Sequence, residues 1–267
     1  MKLLFQSDDY GISEGVACGI LKGIRDGLIR NTGLFVNMPS TAFAVEQIQQ
    51  YPQCCLGIDI NLVSGFPVTP AEQIPNLVKP TGEFYTSGEL REKSNLSASE
   101  TFFRQVDNDP FPFEETLLEA ENQVKRFIEL TGKKPGYIHG HSMMTPNVEK
   151  VLETVAEKYQ APYSMGIHKK FGFHWLTNNW NPKPFPIEQQ LQTDVEGNVL
   201  KVIPEILNYE YAAIICHAGF VDEDLFHYST YTLIRAKDLY MACSPRLKGF
   251  IESHDIQLIT YNDLAEA

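Results

Sequence analysis

The segment KLLFQSDDYG places two aspartates, Asp8 and Asp9, directly after a short apolar run, with Gly11 close behind. Comparable groups follow other apolar runs: Asp59 and Asn61 in GIDINL, His139 and His141 in YIHGHS, and His217 in IICHAGF. Carboxylates and imidazoles hold divalent ions and move protons near neutral pH. Two aspartates and one histidine make a set of hard and borderline ligands that leaves positions open for water. Taken singly these signals are common. An Asp-Asp pair after a strand is ordinary turn and cap chemistry, and a lone histidine often only hydrogen-bonds locally. Four apolar runs ending in such groups form the informative pattern. Residues two apart on a strand share a face, so Asp59 and Asn61 are expected to point together, as are His139 and His141. The adjacent Asp8 and Asp9 are expected to diverge and to take different tasks.

These residues need elements to carry them. The apolar runs KLLFQS, GLFVNM, CLGIDINL, GYIHGH, PYSMGI, YAAIICHAG and IQLITY read as strands buried on both faces. Amphipathic stretches separate them. SEGVACGILKGIRDG repeats Val16, Ile20, Ile24 and Leu28 at four-residue spacing, with Ser13 as N-cap and Gly27 near its end. PFEETLLEAENQVKRFIELTG, TPNVEKVLETVAEKY and TYTLIRAKDLYMACS read the same way, the first stopped by Gly132. Strand–helix alternation implies a parallel sheet. In a parallel α/β barrel the site lies at the carboxy ends of the strands, where all of these polar residues fall. DDYGISEG is neither a dinucleotide fingerprint nor a P-loop. Residues 63–112 and 168–200 are read as long loop insertions in one domain spanning 1–267. Loops of that length are usually functional. The second, with His174 and Trp175 in HKKFGFHWLTNNW, reads equally as an aromatic sugar-binding rim and as a satellite core or subunit interface; Lys169, Lys170 and His174 could meet a substrate phosphate, although the lysines read first as solvated surface.

The chain has 267 residues, 34 Asp and Glu against 22 Lys and Arg, and a net charge of −12. That excludes function classes built on basic patches, such as nucleic-acid binding or docking on anionic membranes. Five cysteines, with Cys54 and Cys55 adjacent, fit free thiols in a reducing cytoplasm. No apolar run is long enough to span a bilayer, and MKLLF turns polar too soon for a secretion signal. The composition leaves a small-molecule substrate, no nucleic acid and no membrane, with a homodimer as a further expectation.

SDDYGIS, GIDINL, YIHGHSMMTPNV, ICHAGF and ACSPRLKGFIESHDIQLITYNDL resemble, in this order, the YdjC-like carbohydrate deacetylases, a family that includes enzymes acting on diacetylchitobiose and its 6-phosphate. The resemblance implies a distorted seven-stranded (β/α) barrel similar to polysaccharide deacetylases, a divalent metal and an amino-sugar substrate. It also implies roles. Asp8 resembles the general base and His217 the general acid. Asp9 resembles the first metal ligand, Asp59 stands at a second metal-binding position, and His139 or His141 resembles a further ligand. Tyr10, Asn61, Arg235, His174 and Trp175 are expected around the substrate. Three positions depart from the family pattern: Asp59 stands for a histidine, Met143 for another, and Ala218 for a proline. An aspartate at 59 favours Mg²⁺ or Mn²⁺ over Zn²⁺. Two further readings compete. One is glycosidic cleavage of a phosphorylated disaccharide by paired carboxylates, against which the divergence of Asp8 and Asp9 argues. The other is a catalytically weak sugar-binding homologue.

Overall fold

The computed structural model describes residues 1–94, 106, 108–176 and 186–265. Seven strands form one parallel sheet curled into a half-barrel: β1 (Lys2–Tyr10), β2 (Asn31–Leu34), β3 (Cys55–Ile60), β4 (Ile138–Gly140), β5 (His174–Trp175), β6 (Tyr211–Cys216) and β7 (Gln257–Ile259). The order is β4-β3-β2-β1-β6-β5, and β7 pairs with β1. Helices α1 (Glu14–Asp26), α2 (Thr41–Ile48), α3 (Ser87–Lys93), α4 (Phe113–Thr131), α5 (Pro146–Tyr159), α6 (Ser164–Phe171), α7 (Ile187–Gln192), α8 (Val195–Val202), α9 (Leu225–Tyr228), α10 (Leu233–Ala242), α11 (Pro245–Ser253) and α12 (Asn262–Ala265) lie between and after the strands.

The local signals explain most of these elements. Ser13 Oγ accepts the Val16 N–H and starts α1, whose apolar face buries Val16, Ile20 and Ile24. Gly132 adopts φ 69° and stops α4, a conformation glycine takes without steric cost. β1 is apolar and buried along nearly its whole length because it is central in the sheet. It carries neighbours in sequence along one edge: β7 beside Lys2–Leu4, then β2 beside Gln6–Tyr10. Asn31 fills the fork between them. Its Nδ2 donates to the carbonyls of Phe5 and Ile259, and its Oδ1 accepts the Tyr261 N–H.

Three expectations need correction. PYSMGI is not a strand: Ser164 starts α6, and the fifth strand is His174–Trp175. Periodicity over six residues cannot separate a strand from a buried helix turn. GLFVNM contributes only its first two residues to β2, which begins at Asn31. Residues 168–200 are largely ordered by α6, β5, α7 and α8, apart from 177–185, which lie outside the described residues. The 63–112 segment is stitched to the core by α4. Glu119, fully buried, accepts the N–H groups of Val68 and Thr69, and Gln123 pairs with both backbone groups of Asn61. Residues 95–105 and 107 of that segment lie outside the described residues. Among the described residues no helix is long and apolar enough to cross a membrane, and all five cysteines are free.

Candidate active site

The Asp-Asp pair sits on a bulge. Ser7 pairs with Thr32 and Tyr10 with Leu34, so β1 spends one more residue than β2 over the same span. Asp9 takes up the extra residue at φ 68°, a left-handed conformation that aspartate tolerates better than most side chains. The bulge breaks the alternation of β1. Asp8 and Asp9 therefore do not diverge as a regular strand would require: both carboxylates are buried and both face the same group of histidines.

Asp9 is the centre of that group. Its Oδ2 lies 2.6 Å from Arg235 Nη2, and its Oδ1 lies 2.8 Å from His141 Nδ1 but out of line for a hydrogen bond. Burial alone would raise its pKa, but His141 and Arg235 outweigh burial and hold the carboxyl well below its ordinary range. Asp8 lies differently. Its Oδ1 accepts Gln6 Nε2 at 2.5 Å, and its Oδ2 faces His139 Nε2 at 3.6 Å. Burial pushes Asp8 up to about 6, against the pull of His217 and the Gln6 bond. A carboxyl poised near neutrality can take and return a proton.

His139 and His141 share a face, as their spacing predicts, and deliver one ring to each aspartate. Ser164 Oγ lies 2.7 Å from His139 Nδ1, which leaves Nε2 turned to the site. Burial, with His141 adding to it, lowers His139 to about 4 and keeps the ring neutral. His217 follows β6. Its N–H donates to Asp238 Oδ2, which also accepts the Tyr231 hydroxyl. The His217 Nδ1 is buried without a hydrogen-bond partner. Burial lowers the His217 pKa, while Asp9 and Asp8 oppose that shift.

Asp59 faces the same interior. Its Oδ2 accepts the Asp9 N–H at 2.9 Å and so fastens the bulge, while its Oδ1 has no hydrogen-bond partner. The carboxylate lies over Gly33, where an added Cβ would come within 1.8 Å of Oδ1. Burial, helped by Asp8, pushes the Asp59 carboxyl well above its ordinary range.

Asp8, Asp9 and Asp59 are three buried carboxylates, of which Asp9 pairs with the buried guanidinium of Arg235. The deficit of positive charge and the unpartnered Oδ1 atoms of Asp9 and Asp59 fit a divalent cation in charge and in donor type. The donors are not gathered around one point: among the described residues no three His, Cys, Asp or Glu side chains converge as an ion-holding group.

Most of the remaining expected substrate residues lie elsewhere. The Tyr10 hydroxyl donates to the Ala44 carbonyl inside the core. Asn61 is saturated by its own turn: Oδ1 accepts the N–H groups of Val63 and Ser64, and Nδ2 donates to Ser64 and Asn37. Arg235 is 1% exposed and its Nη2 pairs with Asp9 in the site itself, while its Nη1 has no hydrogen-bond partner. His174 pairs with Ala212, level with Leu3, five positions before Asp8. At about 3.3 Å per residue that places it about 17 Å away, at the amino ends of the strands. There it stacks on Tyr209, with ring centroids 3.9 Å apart. Trp175, one residue further along, packs edge-on against His168 behind the site. Lys169 and Lys170 are exposed at the end of α6. Polar and aromatic composition drew attention to these residues, but strand direction decides which end of the sheet they occupy.

Several partners of the site had weaker signals. Gln6 precedes Asp8 by two residues on one strand, a spacing that marks a shared face. Asp238, Ser164, His168 and Tyr261 carry no local signal, because they reach the site only through packing.

The sequence of a Vibrio vulnificus carbohydrate deacetylase is 30% identical over 270 residues, covering 99% of this chain and 96% of the relative. Carbohydrate deacetylase 2 of Listeria innocua is 28% identical over 271 residues, covering 99% of each. Among solved structures, an Enterococcus faecalis protein described as a candidate for cellobiose-phosphate cleavage superposes with a TM-score of 0.76 at 23% identity, over 98% of each chain. A variant of a CE4 family pseudoenzyme superposes at 0.50 with 10% identity, over 99% of this chain and 67% of the other. The model of the YdjC-like protein family matches residues 2–253, nearly the length of the sheet and its helices, and the chain belongs to that family.

Proposed function

We propose that this protein is a metal-dependent carbohydrate deacetylase that hydrolyses the N-acetyl group of a small amino-sugar such as diacetylchitobiose or its 6-phosphate. The observation that carries the reading is the paired, bulged Asp8 and Asp9 set among His139, His141 and His217 at one end of a parallel sheet. The whole-length similarity to carbohydrate deacetylases supports the same chemistry.

An acetamide is a poor electrophile and water a poor nucleophile, so the site must improve both. A divalent cation held by Asp9 with His141, and with His139 and Asp59 as further donors, would supply Lewis acidity and a more acidic water. Mg²⁺ or Mn²⁺ suits a carboxylate-rich donor set better than Zn²⁺. Asp8 accepts the proton of the attacking water. Its orientation is fixed by the Gln6 amide on Oδ1, and His139 Nε2 lies 3.6 Å from Oδ2. His217 returns a proton to the departing sugar amine. Asp9 and Asp8 support its protonated form, and Asp238 fixes its backbone. Arg235 keeps Asp9 ionised and so ready to hold a cation.

The test is acetate release from diacetylchitobiose and its 6-phosphate by metal-stripped protein, with Mg²⁺, Mn²⁺ or Zn²⁺ restored. Acetate that appears only with an ion, and that Asp8→Asn reduces at least a hundredfold, is the expected result. Shortened sugar without acetate would establish glycosidic cleavage instead, the activity in the description of the Enterococcus faecalis neighbour. Tight sugar binding without any product would mark a binding homologue.

A further inference from the structure

The Asp8 carboxylate is hydrogen-bonded on one oxygen and faces the His139 ring with the other, and both neighbours lead back to the same helix. Asp8 Oδ1 accepts Gln6 Nε2 at 2.5 Å, Gln6 Oε1 accepts the Tyr261 hydroxyl at 2.7 Å, and the Tyr261 oxygen lies 3.0 Å from His168 Nε2. On the other side Asp8 Oδ2 faces His139 Nε2 at 3.6 Å, and His139 Nδ1 lies 2.7 Å from Ser164 Oγ. Ser164 and His168 are four residues apart in α6 and therefore share one face of it. Gln6, Tyr261, Ser164 and His168 are all buried.

The chemistry of each link gives the longer chain a direction. A glutamine amide is ambidentate: it can present either NH₂ or C=O to a neighbour. A tyrosine hydroxyl has a single proton. Once Tyr261 gives that proton to Gln6 Oε1, only the NH₂ remains for Asp8, and the Tyr261 oxygen is left to accept from His168 Nε2–H. Burial pushes His168 down to about 3, so its ring is neutral and carries one ring proton. Its Nδ1 has no hydrogen-bond partner, as suits the bare nitrogen of that tautomer. Donors then point toward Asp8 at every step. The Tyr261 ring is clamped between Tyr137, at 4.1 Å, and the His168 ring, at 5.8 Å, and its backbone N–H is held by Asn31.

Building on the assignment of Asp8 as base, we propose that α6 is the positioning element of this site, fixing the Asp8 carboxylate through His168, Tyr261 and Gln6 and holding the neighbouring His139 ring through Ser164. None of the four supporting residues Gln6, Tyr261, His168 and Ser164 touches substrate. They act by holding one rotamer of Asp8, and displacement of a base by 1 Å costs up to about a hundredfold in rate.

Tyr261→Phe removes the relay hydroxyl and keeps the stacked ring. We expect kcat to fall about tenfold with KM within about twofold of wild type. Gln6→Leu should cost at least as much, and Gln6→Leu/Tyr261→Phe no more than Gln6→Leu alone, because both act through one chain. Tyr137→Phe is the control: its hydroxyl is also buried in the same stack, has no hydrogen-bond partner and leads nowhere, so kcat should be unchanged. Crystal structures of wild type and Tyr261→Phe should show the Gln6 amide reversed or the Asp8 carboxylate turned in the variant. Full kcat in Tyr261→Phe, losses that multiply in the double variant, or an unmoved Gln6–Asp8 pair would each overturn the proposal. If wild type releases no acetate under any condition, the deacetylase reading falls, and the two crystal structures alone decide whether α6 positions Asp8.

Discussion

At the scale of single residues, the site is a set of buried charges each tuned by its neighbours. Asp8 and Asp9 are adjacent, yet one is raised by burial and the other held low by His141 and Arg235. Two carboxyls pushed apart in this way can divide the tasks of base and ligand. Asp238 gives a direct test of buried charge. Burial raises it to about 6, although His217 N–H, Tyr231 and Arg235 all favour its ionised form. Its ordinary pKa of 3.8 applies in the unfolded chain, so the fold binds this proton more tightly. The resulting stability is complete below pH 3.8 and is lost as pH rises through about 6, a change of about 3 kcal/mol. Asp238→Asn keeps an acceptor for His217 and Tyr231 and removes the titration. The stability difference between variant and wild type should therefore shift by about 2.4 kcal/mol in the variant's favour between pH 4 and pH 8. Denaturant melts at the two pH values measure it, and a constant difference would rule out Asp238 as the titrating group.

At the scale of elements, close approach of β2 and β3 matters as much as the residues they carry. Gly33 on β2 leaves room for the Asp59 carboxylate, and Asp59 in turn holds the Asp9 backbone in its left-handed turn. Gly33→Ala places a methyl 1.8 Å from Asp59 Oδ1 and 2.2 Å from its Cγ. The side chain must move, and the Asp9 N–H loses its acceptor. Overpacking of this kind costs about 1–3 kcal/mol. The expected variant is folded, with circular dichroism like wild type, but has lost at least tenfold in kcat through displacement of Asp9. Unchanged kcat would mean that Asp59 contributes nothing to the bulge. Legibility differed among elements for a physical reason. α1 and α4 were readable because cap, apolar stripe and stop agree within one segment. PYSMGI was not, because a short apolar run satisfies either period and its Ser164 is buried by a partner distant in sequence, His139.

At the scale of the whole molecule, the first and last strands meet at the middle of the sheet. β7 joins β1 along three residues only, and Asn31 secures the junction with bonds to Phe5, Ile259 and Tyr261. Asn31→Ala removes three buried hydrogen bonds, a loss of about 2–4 kcal/mol, which for a chain of this size lowers Tm by about 4–12 °C. Because Tyr261 hangs from the same junction, kcat should fall as well, and Tyr10→Phe, which loses one buried hydroxyl bond far from β7, should lower Tm without that loss. Calorimetry with a parallel acetate assay separates the two effects. An Asn31→Ala protein with wild-type Tm would show that β7 is held by other contacts.

The sequence by itself determined the parallel α/β architecture, the family, and the identity of Asp8, Asp9, His139, His141 and His217 as one constellation. Those properties follow from short-range facts: apolar runs of fixed period, polar residues at their carboxy ends, and motifs that keep their order along the chain. Only the tertiary structure decided which way those side chains face and what stands behind them. The bulge that turns Asp8 and Asp9 inward together arises from the register between β1 and β2, and register is a property of two strands. Arg235, Ala218 and Tyr261 meet the first strand across more than two hundred residues of sequence, and Ser164 and His168 reach Asp8 through intermediaries. The hydrogen-bond partners of Tyr10 and Asn61 and the end of the sheet that His174 occupies were hidden in the sequence for the same reason. Residue type suggests a contact, but a side chain's hydrogen-bond partners and its end of the sheet are fixed only when the chain is packed.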